Sequence, residues 1–464
     1  MLVPSRPRTD GLLVAALLTA ALAASSAQTI VIVALPAFAR DLAVPPADAT
    51  WALTAFMLAG TVATPIAGRL GDLFGYRRVL VACLGCFTAG TLMCALATEA
   101  GFFGGLIAGR ALQGVAGGVF PLAFGIARAG LAPARLPGVI ALLSAMLGIG
   151  GAAGMVAAGP ITDTLGTPWL FWGTLVLAGI ALAAAPVLPA DRPGQGGRVD
   201  LAGAFLLSGG LICLLLAISQ ARSWGWGPAA ALFGASALLL AAFTAAELRA
   251  DEPLVDLRLL RHRGPAAANL ATFVLAVAMF GAITLVPRLV QTPAAAHGLG
   301  ASPSQAGLTM LPVALVMVIA GPAAARLGRS RGALLPLRTG IVCAAVSLAV
   351  LAAAHGRIAD FYLTGLLLGA GYGLAFAAIG IVIVQAAPVH QTGVATAINT
   401  IVRTVGGAVG AQTAAAILAA RTPAGKALPT ESGYTMGFAA FAALAFAALA
   451  VTAATRETHN PQHR

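Results

Sequence analysis

Apolar runs of about twenty residues follow one another along nearly the whole chain, and that repetition leaves few folds open. A hydrocarbon layer about 30 Å thick is crossed by about 20 helical residues, and only helices or closed barrels satisfy their backbone inside it. Fourteen runs can be counted, at roughly 11–36, 49–68, 79–98, 102–127, 137–160, 168–188, 200–219, 228–247, 265–290, 304–325, 334–354, 359–386, 392–420 and 434–454. Breakers separate them at Pro45-Pro46, Pro193-Gly194-Gln195-Gly196-Gly197, Gly264-Pro265 and Thr422-Pro423. With 59% hydrophobic and 9% charged residues and a mean hydropathy of +0.93, a large soluble core is excluded, because core helices keep one polar face. The expected fold class is an all-α polytopic membrane protein with 14 transmembrane helices.

The net charge of +12 would suggest nucleic acid in a soluble protein. Here it marks loops, since Arg accumulates on the cytoplasmic side of membrane helices, and no nucleic-acid partner is expected. Placing the N-terminus inside puts nineteen basic residues in cytoplasmic segments and six in outer ones. It also puts Trp51, Trp169, Trp172, Trp224 and Trp226 at outer helix ends, as interface anchors. Both termini are then cytoplasmic, in an inner membrane. Arg6 and Arg8 precede an apolar run that continues to Pro36, too long for a signal peptide, so this run reads as an uncleaved first helix. Cys83-x-x-Cys86 has no second pair and no nearby His, so small apolar packing is the reading and no metal is expected. No Gly-x-x-x-x-Gly-Lys-Ser/Thr pattern or catalytic constellation stands out; neither a cofactor nor enzymatic chemistry is expected.

A dense charged island, Gly68-Arg69-Leu70-Gly71-Asp72-Leu73-Phe74-Gly75-Tyr76-Arg77-Arg78, falls between the second and third runs. Such a cluster belongs in water at a tight turn. Gly71 and Gly75 allow the turn and close helix approach, and Asp72 can accept from Arg or cap a helix N-terminus. An Asp is superfluous for topology, which points to a latch built from Gly68, Gly71, Asp72, Gly75, Arg77 and Arg78. Arg110 lies about nine residues into its run and Arg403 about eleven, both near the midplane at 1.5 Å rise per residue. A midplane charge is costly and usually functional. Each Arg faces either a central cavity or gate, or backbone carbonyls that satisfy it.

The island resembles the loop between helices two and three of the major facilitator superfamily, meeting its Gly-x-Leu-x-Asp-x-x-Gly-x-Arg-Arg pattern at every key position. Thr29-Ile30-Val31-Ile32-Val33-Ala34-Leu35-Pro36, Arg110-Ala111-Leu112-Gln113-Gly114, Asp200-Leu201-Ala202-Gly203 and Glu252–Arg261 resemble segments of its fourteen-helix drug:proton antiporter branch. So do Gln305-Ala306-Gly307-Leu308 with Leu311-Pro312, and Asn399–Gly407. The resemblance implies a major facilitator fold of 6 + 2 + 6 helices: residues 1–190 as a six-helix bundle, 191–263 as two extra helices and linker, and 264–464 as a second bundle. It implies a monomeric secondary transporter, surrounded by membrane lipid, that exports small amphipathic organic substrates such as antibiotics by alternating access coupled to protons. An importer or facilitator of small solutes, anionic ones among them, would share the fold, as would a non-transporting membrane sensor.

The chain departs from the branch in helix 1, where Ala27 stands at a usual Asp and Ile32 at a usual Asn, and in helix 5, where Met155 stands at a usual Pro. All fifteen acidic residues fall in loops or near helix ends, which leaves Asp163 as the candidate proton site. Two deep arginines without a deep acid predict a cavity that favours anionic or zwitterionic substrates over cations. The polar residues expected to line it are Gln28, Thr29, Gln113, Asn269, Gln385 and Asn399, among aromatics such as Phe56, Tyr372 and Phe376.

Overall fold

The computed structural model describes residues 7–191, 200–250, 263–294, 297–386, 392–423 and 428–453, and these are helical with no strand among them. The helices in order are α1 (Pro7–Asp41), α2 (Pro46–Ala49), α3 (Trp51–Phe74), α4 (Tyr76–Glu99), α5 (Phe103–Gly114), α6 (Val119–Gly130), α7 (Leu136–Thr164) and α8 (Pro168–Ala183). They continue as α9 (Leu201–Trp224), α10 (Trp226–Glu247), α11 (Arg263–Gln291), α12 (Pro303–Leu308), α13 (Leu311–Arg331), α14 (Leu334–Ala353), α15 (Ile358–Ala386), α16 (Thr392–Ala420) and α17 (Glu431–Ala453). A short 3-10 turn, Val115–Gly118, joins α5 to α6 within one span. Thirteen spans among the described residues are long and apolar enough to cross a bilayer, and α9 adds a shorter apolar stretch, Ala202–Ile218. The Pro193–Gly197 linker, the Glu252–Arg261 stretch and the terminal Arg6, Arg456 and Arg464 lie outside the described residues.

Packing partners repeat between early and late helices. α1 lies against α7 and α8, α4 against α5 and α8, and α3 against α5; likewise α11 lies against α16 and α17, α14 against α15 and α17, and α13 against α15. Small residues bring these helices together, as expected where lipid removes any hydrophobic drive between them. A Cβ on Gly90 would sit 2.8 Å from the Gly109 carbonyl oxygen, and one on Gly371 would sit 2.6 Å from the Ala344 nitrogen. Side chains pin two of the pairs. Across α1 and α7, Ser25 donates to the Met146 carbonyl at 2.9 Å and Thr29 to that of Gly151 at 2.6 Å. Across α11 and α16, Asn399 donates to Asn269 Oδ1 at 3.1 Å and to Thr272 Oγ1 at 2.7 Å.

The two groups meet where α7 packs on α13 and α15, and where α16 packs on α3 and α6. α9 and α10 pack on each other outside this seam, with α9 touching α3 and α16. α10 leaves Trp226 and Leu238 mostly exposed, as suits a helix facing lipid.

The helix expected to end at the charged island instead runs through it. Gly68 and Gly71 are buried inside α3, and Gly75 alone makes the turn into α4, at φ +105°. One residue at positive φ suffices there, and glycine takes it without a Cβ penalty. The Gly75 N–H returns to the Gly71 carbonyl at 3.1 Å. The same device closes α13, where Gly332 at φ +84° donates to the Gly328 carbonyl at 3.1 Å.

Candidate functional site

A cavity lies between the two groups, walled by α1, α3, the α5–α6 junction, α7, α11, α13, α15 and α16. Close packing shapes it on one side: a Cβ on Gly117 would lie 2.6 Å from the Gly60 carbonyl oxygen, so α3 and the 3-10 turn touch backbone to backbone. Five methionines line it, Met57, Met155, Met279, Met310 and Met317, together with Phe56, Phe120 and Phe280. Thioether chains are flexible and polarisable, and they recur at surfaces that accept many shapes. The threonine hydroxyls of the wall are spent on backbone. Thr61 donates to Met57 at 2.8 Å, Thr64 to Gly60 at 2.6 Å, Thr400 to Thr396 at 2.9 Å and Thr404 to Thr400 at 2.9 Å. No carboxylate or histidine is among the described lining residues.

The two deep arginines behave differently. Arg110 is fully buried, and its guanidinium donates to the Ala52 carbonyl at 2.7 Å, the Ala27 carbonyl at 3.0 Å and Gln113 Oε1 at 2.7 Å. Its Cζ sits 4.4 Å from the centroid of Phe56, a cavity-lining ring. Arg110 thus stands behind the wall, holding α1, α3 and α5 together through their carbonyls. Arg403 lines the cavity, with its Cζ 5.6 Å from the Phe376 centroid.

Of the six polar residues expected in the cavity, Gln28 and Thr29 line it. Gln113 does not: it is fully buried between Arg110 and Thr91, to which it donates at 2.7 Å. Asn269 and Asn399 are consumed by each other and by Thr272 at the α11–α16 contact. Gln385 is exposed at the end of α15. In each case amides satisfied by partners, or left in water, are cheaper than amides facing an apolar chamber. Tyr372 and Phe56 line the cavity as expected, whereas Phe376 lies beneath Arg403. Asp163 is exposed at the far end of α7, where it accepts from Ser304 of α12 at 3.0 Å.

At the charged island, Asp72 accepts from the Tyr76 hydroxyl one turn on. It does not cap α4; Asp191 does. Asp191 Oδ1 accepts from the Arg77 N–H at 2.8 Å and Oδ2 from the Arg78 N–H at 3.1 Å. The Arg78 side chain reaches Asp191 at 3.8 Å but is 80% exposed, so the backbone bonds carry this contact. Nearby, Arg128 of α6 bridges the two groups, donating to the Val384 carbonyl and to Thr392 Oγ1. Sequence reasoning missed Asp191, Arg128 and the methionines. Only for Asp191 was a signal available: an acid standing directly after the sixth run.

A multi-pass helical bundle with two similarly packed groups around a central chamber is the build of a membrane transporter. The chain belongs to the Major Facilitator Superfamily, whose family model matches residues 17–411. It is 32% identical over 394 residues to the "Multidrug resistance protein B homolog" of Mycobacterium tuberculosis, covering 82% of this chain and 71% of that protein. It is 30% identical over 400 residues to the "Tetracenomycin C resistance and export protein" of Streptomyces glaucescens, covering 85% and 73%. In fold it is similar to the human organic anion transporter MFSD10, with a TM-score of 0.67 at 16% identity over 97% of this chain and 100% of that one. The protein is therefore a multi-pass membrane transporter and not an enzyme.

Proposed function

We propose that this transporter exports small amphipathic organic compounds, antibiotics among them, by alternating access and in exchange for protons. The observation that carries the reading is the chamber between the two groups, walled mainly by methionine, aromatic and aliphatic side chains, with few polar groups free. Such a wall accepts apolar bodies of varied shape, and the relatives whose names specify multidrug resistance and tetracenomycin C export support this use.

In this reading residues 1–190 and 264–464 are the moving halves, and 191–263 supply two further spans, making fourteen in all. The protein works as a monomer in the cell membrane with both termini cytoplasmic. Contacts across the seam lie at both ends of α7, which is about 43 Å long. Arg128 with Thr392, and Arg329 with the Ala134 carbonyl, hold the end near the Gly68–Arg78 turn; Asp163 with Ser304 holds the other. Rocking exchanges one set for the other, with the turn at Gly75 acting as latch. Asp163 is the carboxylate assigned to proton exchange, because its hydrogen bond crosses the seam.

The test is proton movement in inverted vesicles that carry the protein, read with a pH-quenched dye as drugs of different charge are added. A drug-dependent pH change that disappears in Asp163→Asn supports the assignment. Drug efflux that continues in Asp163→Asn with its pH change intact would overturn the proton role, and absence of any drug-dependent signal or efflux would overturn export.

A further inference from the structure

The chamber holds a cation that the described protein does not answer. Arg403 is 8% exposed and faces the chamber from α16, yet its guanidinium has no hydrogen-bond or ion-pair partner among the described residues. The face of Phe376 is what it rests on. Arg110 is the contrast, since its Nε and Nη1 meet three acceptors and only its Nη2 lacks one among the described residues. A guanidinium presents five N–H donors in a planar fork suited to carboxylate-like groups, and leaving it buried without an anion is costly.

A second donor stands beside the same ring. Tyr372 stacks on Phe376 with centroids 6.1 Å apart, lines the same chamber and is 1% exposed. Its hydroxyl is buried without a hydrogen-bond partner among the described residues. A buried phenol normally finds an acceptor. The chamber's threonines offer no alternative donors, because their hydroxyls point to backbone carbonyls. Two idle donors of high affinity for oxyanions therefore meet one apolar chamber that lacks an acid among its described lining residues.

We propose that Arg403 and Tyr372 form the seat for the anionic head of the substrate, a carboxylate or sulfonate whose apolar body lies against the methionine wall. The chamber then selects organic anions and acid-bearing zwitterions over cations. This rests on the transport reading above and specifies its substrate class.

The experiment uses the full chain in proteoliposomes and two permanently charged probes of similar body, naphthalene-1-sulfonate and trimethyl(1-naphthyl)ammonium, with ethidium as a general drug-transport control. Wild type should accumulate the sulfonate in preference to the ammonium. Arg403→Gln should lower the sulfonate-to-ammonium ratio by about tenfold or more, the loss expected for a charge-assisted hydrogen bond. Tyr372→Phe should lower it by about threefold, and Arg403→Lys should recover part of it, keeping the charge but losing the fork. Each variant is first shown to be monodisperse in detergent. Preference of wild type for the ammonium, or an unchanged ratio in Arg403→Gln, would overturn the anion seat. Ethidium transport without sulfonate transport would also overturn it while leaving export standing; failure of all three probes would overturn the transport reading itself.

Discussion

Asp191 caps the helix that begins at Tyr76, accepting the Arg77 amide at 2.8 Å across 114 positions of sequence. A carboxylate at a helix N-terminus satisfies otherwise orphaned N–H groups and meets the positive end of the helix dipole. The Gly68–Arg78 turn is thereby tied to the chain segment that leaves α8. Asp191→Ala should destabilise the protein by about 1–2 kcal/mol. Gly75→Ala should cost about 1–3 kcal/mol, since φ is +105° and the new Cβ would lie 2.6 Å from the Asp191 Cβ. The two effects should be less than additive when combined, because Asp191→Ala removes the contacts to Cγ and, at 2.6 Å, to Oδ1 and leaves only the one to Cβ. Thermal unfolding of the purified variants in detergent measures all three.

Arg110 and Arg403 should respond to substitution in opposite ways. Arg110→Ala leaves the Gln113 amide oxygen without its guanidinium donor, removes the second donor to the Ala27 and Ala52 carbonyls and opens a hole in a site closed to water, so a loss of about 3 kcal/mol or more and poor recovery of folded protein are expected. Arg403→Gln breaks no hydrogen bond among the described residues and should change stability by less than about 1 kcal/mol. Equal destabilisation by the two would contradict the placement of Arg110 behind the wall and Arg403 on it.

The Asn269–Asn399 pair is assigned to the α11–α16 contact and not to the substrate. A double-mutant cycle with Asn269→Ala and Asn399→Ala should give a coupling energy of about 0.5–1.5 kcal/mol in unfolding. Substrate selectivity should stay the same in the single variants. A change in selectivity without loss of stability would return these amides to the chamber.

Arg128 bridges α6 to Val384 and Thr392 at the end of the bundle near Gly75. Arg128→Ala should shift the population toward states in which that end is open. Spin labels at Ala134 and Arg331, both exposed, placed in a cysteine-free background, report the distance by double electron–electron resonance. The expected result is a longer mean distance in Arg128→Ala than in the parent. An unchanged distribution would show that the bridge does not hold this end closed.

The helical spans were legible because bilayer thickness imposes a length that is visible in one dimension. That a glycine turn joins the second and third runs was legible, but that Gly75 alone makes it and Gly71 stays inside the helix was not. The role of Asp72 was not, because a carboxylate can serve any donor within reach, and the fold brought Tyr76 to Asp72 and Asp191 to the helix start. That Arg110 and Arg403 lie within long apolar helices was readable by counting residues, but the direction in which each points was not.

Sequence alone determined that this chain is an all-helical membrane protein, since its apolar runs have the length of spanning helices, about 20 residues, and not that of barrel strands. It also determined the family, because the island between the second and third runs carries a long local pattern. Tertiary structure alone decided which face of each helix meets the chamber. Helix faces are separated by rotation, and a helix apolar all round carries no periodic signal to say which side turns inward. That is why Met57, Met155, Met279, Met310 and Met317, scattered along four helices and a connecting turn, become one wall only when the helices pack. It is also why Gln113 and Asn399, polar and deep, lie within helix contacts while Arg403 faces the open chamber.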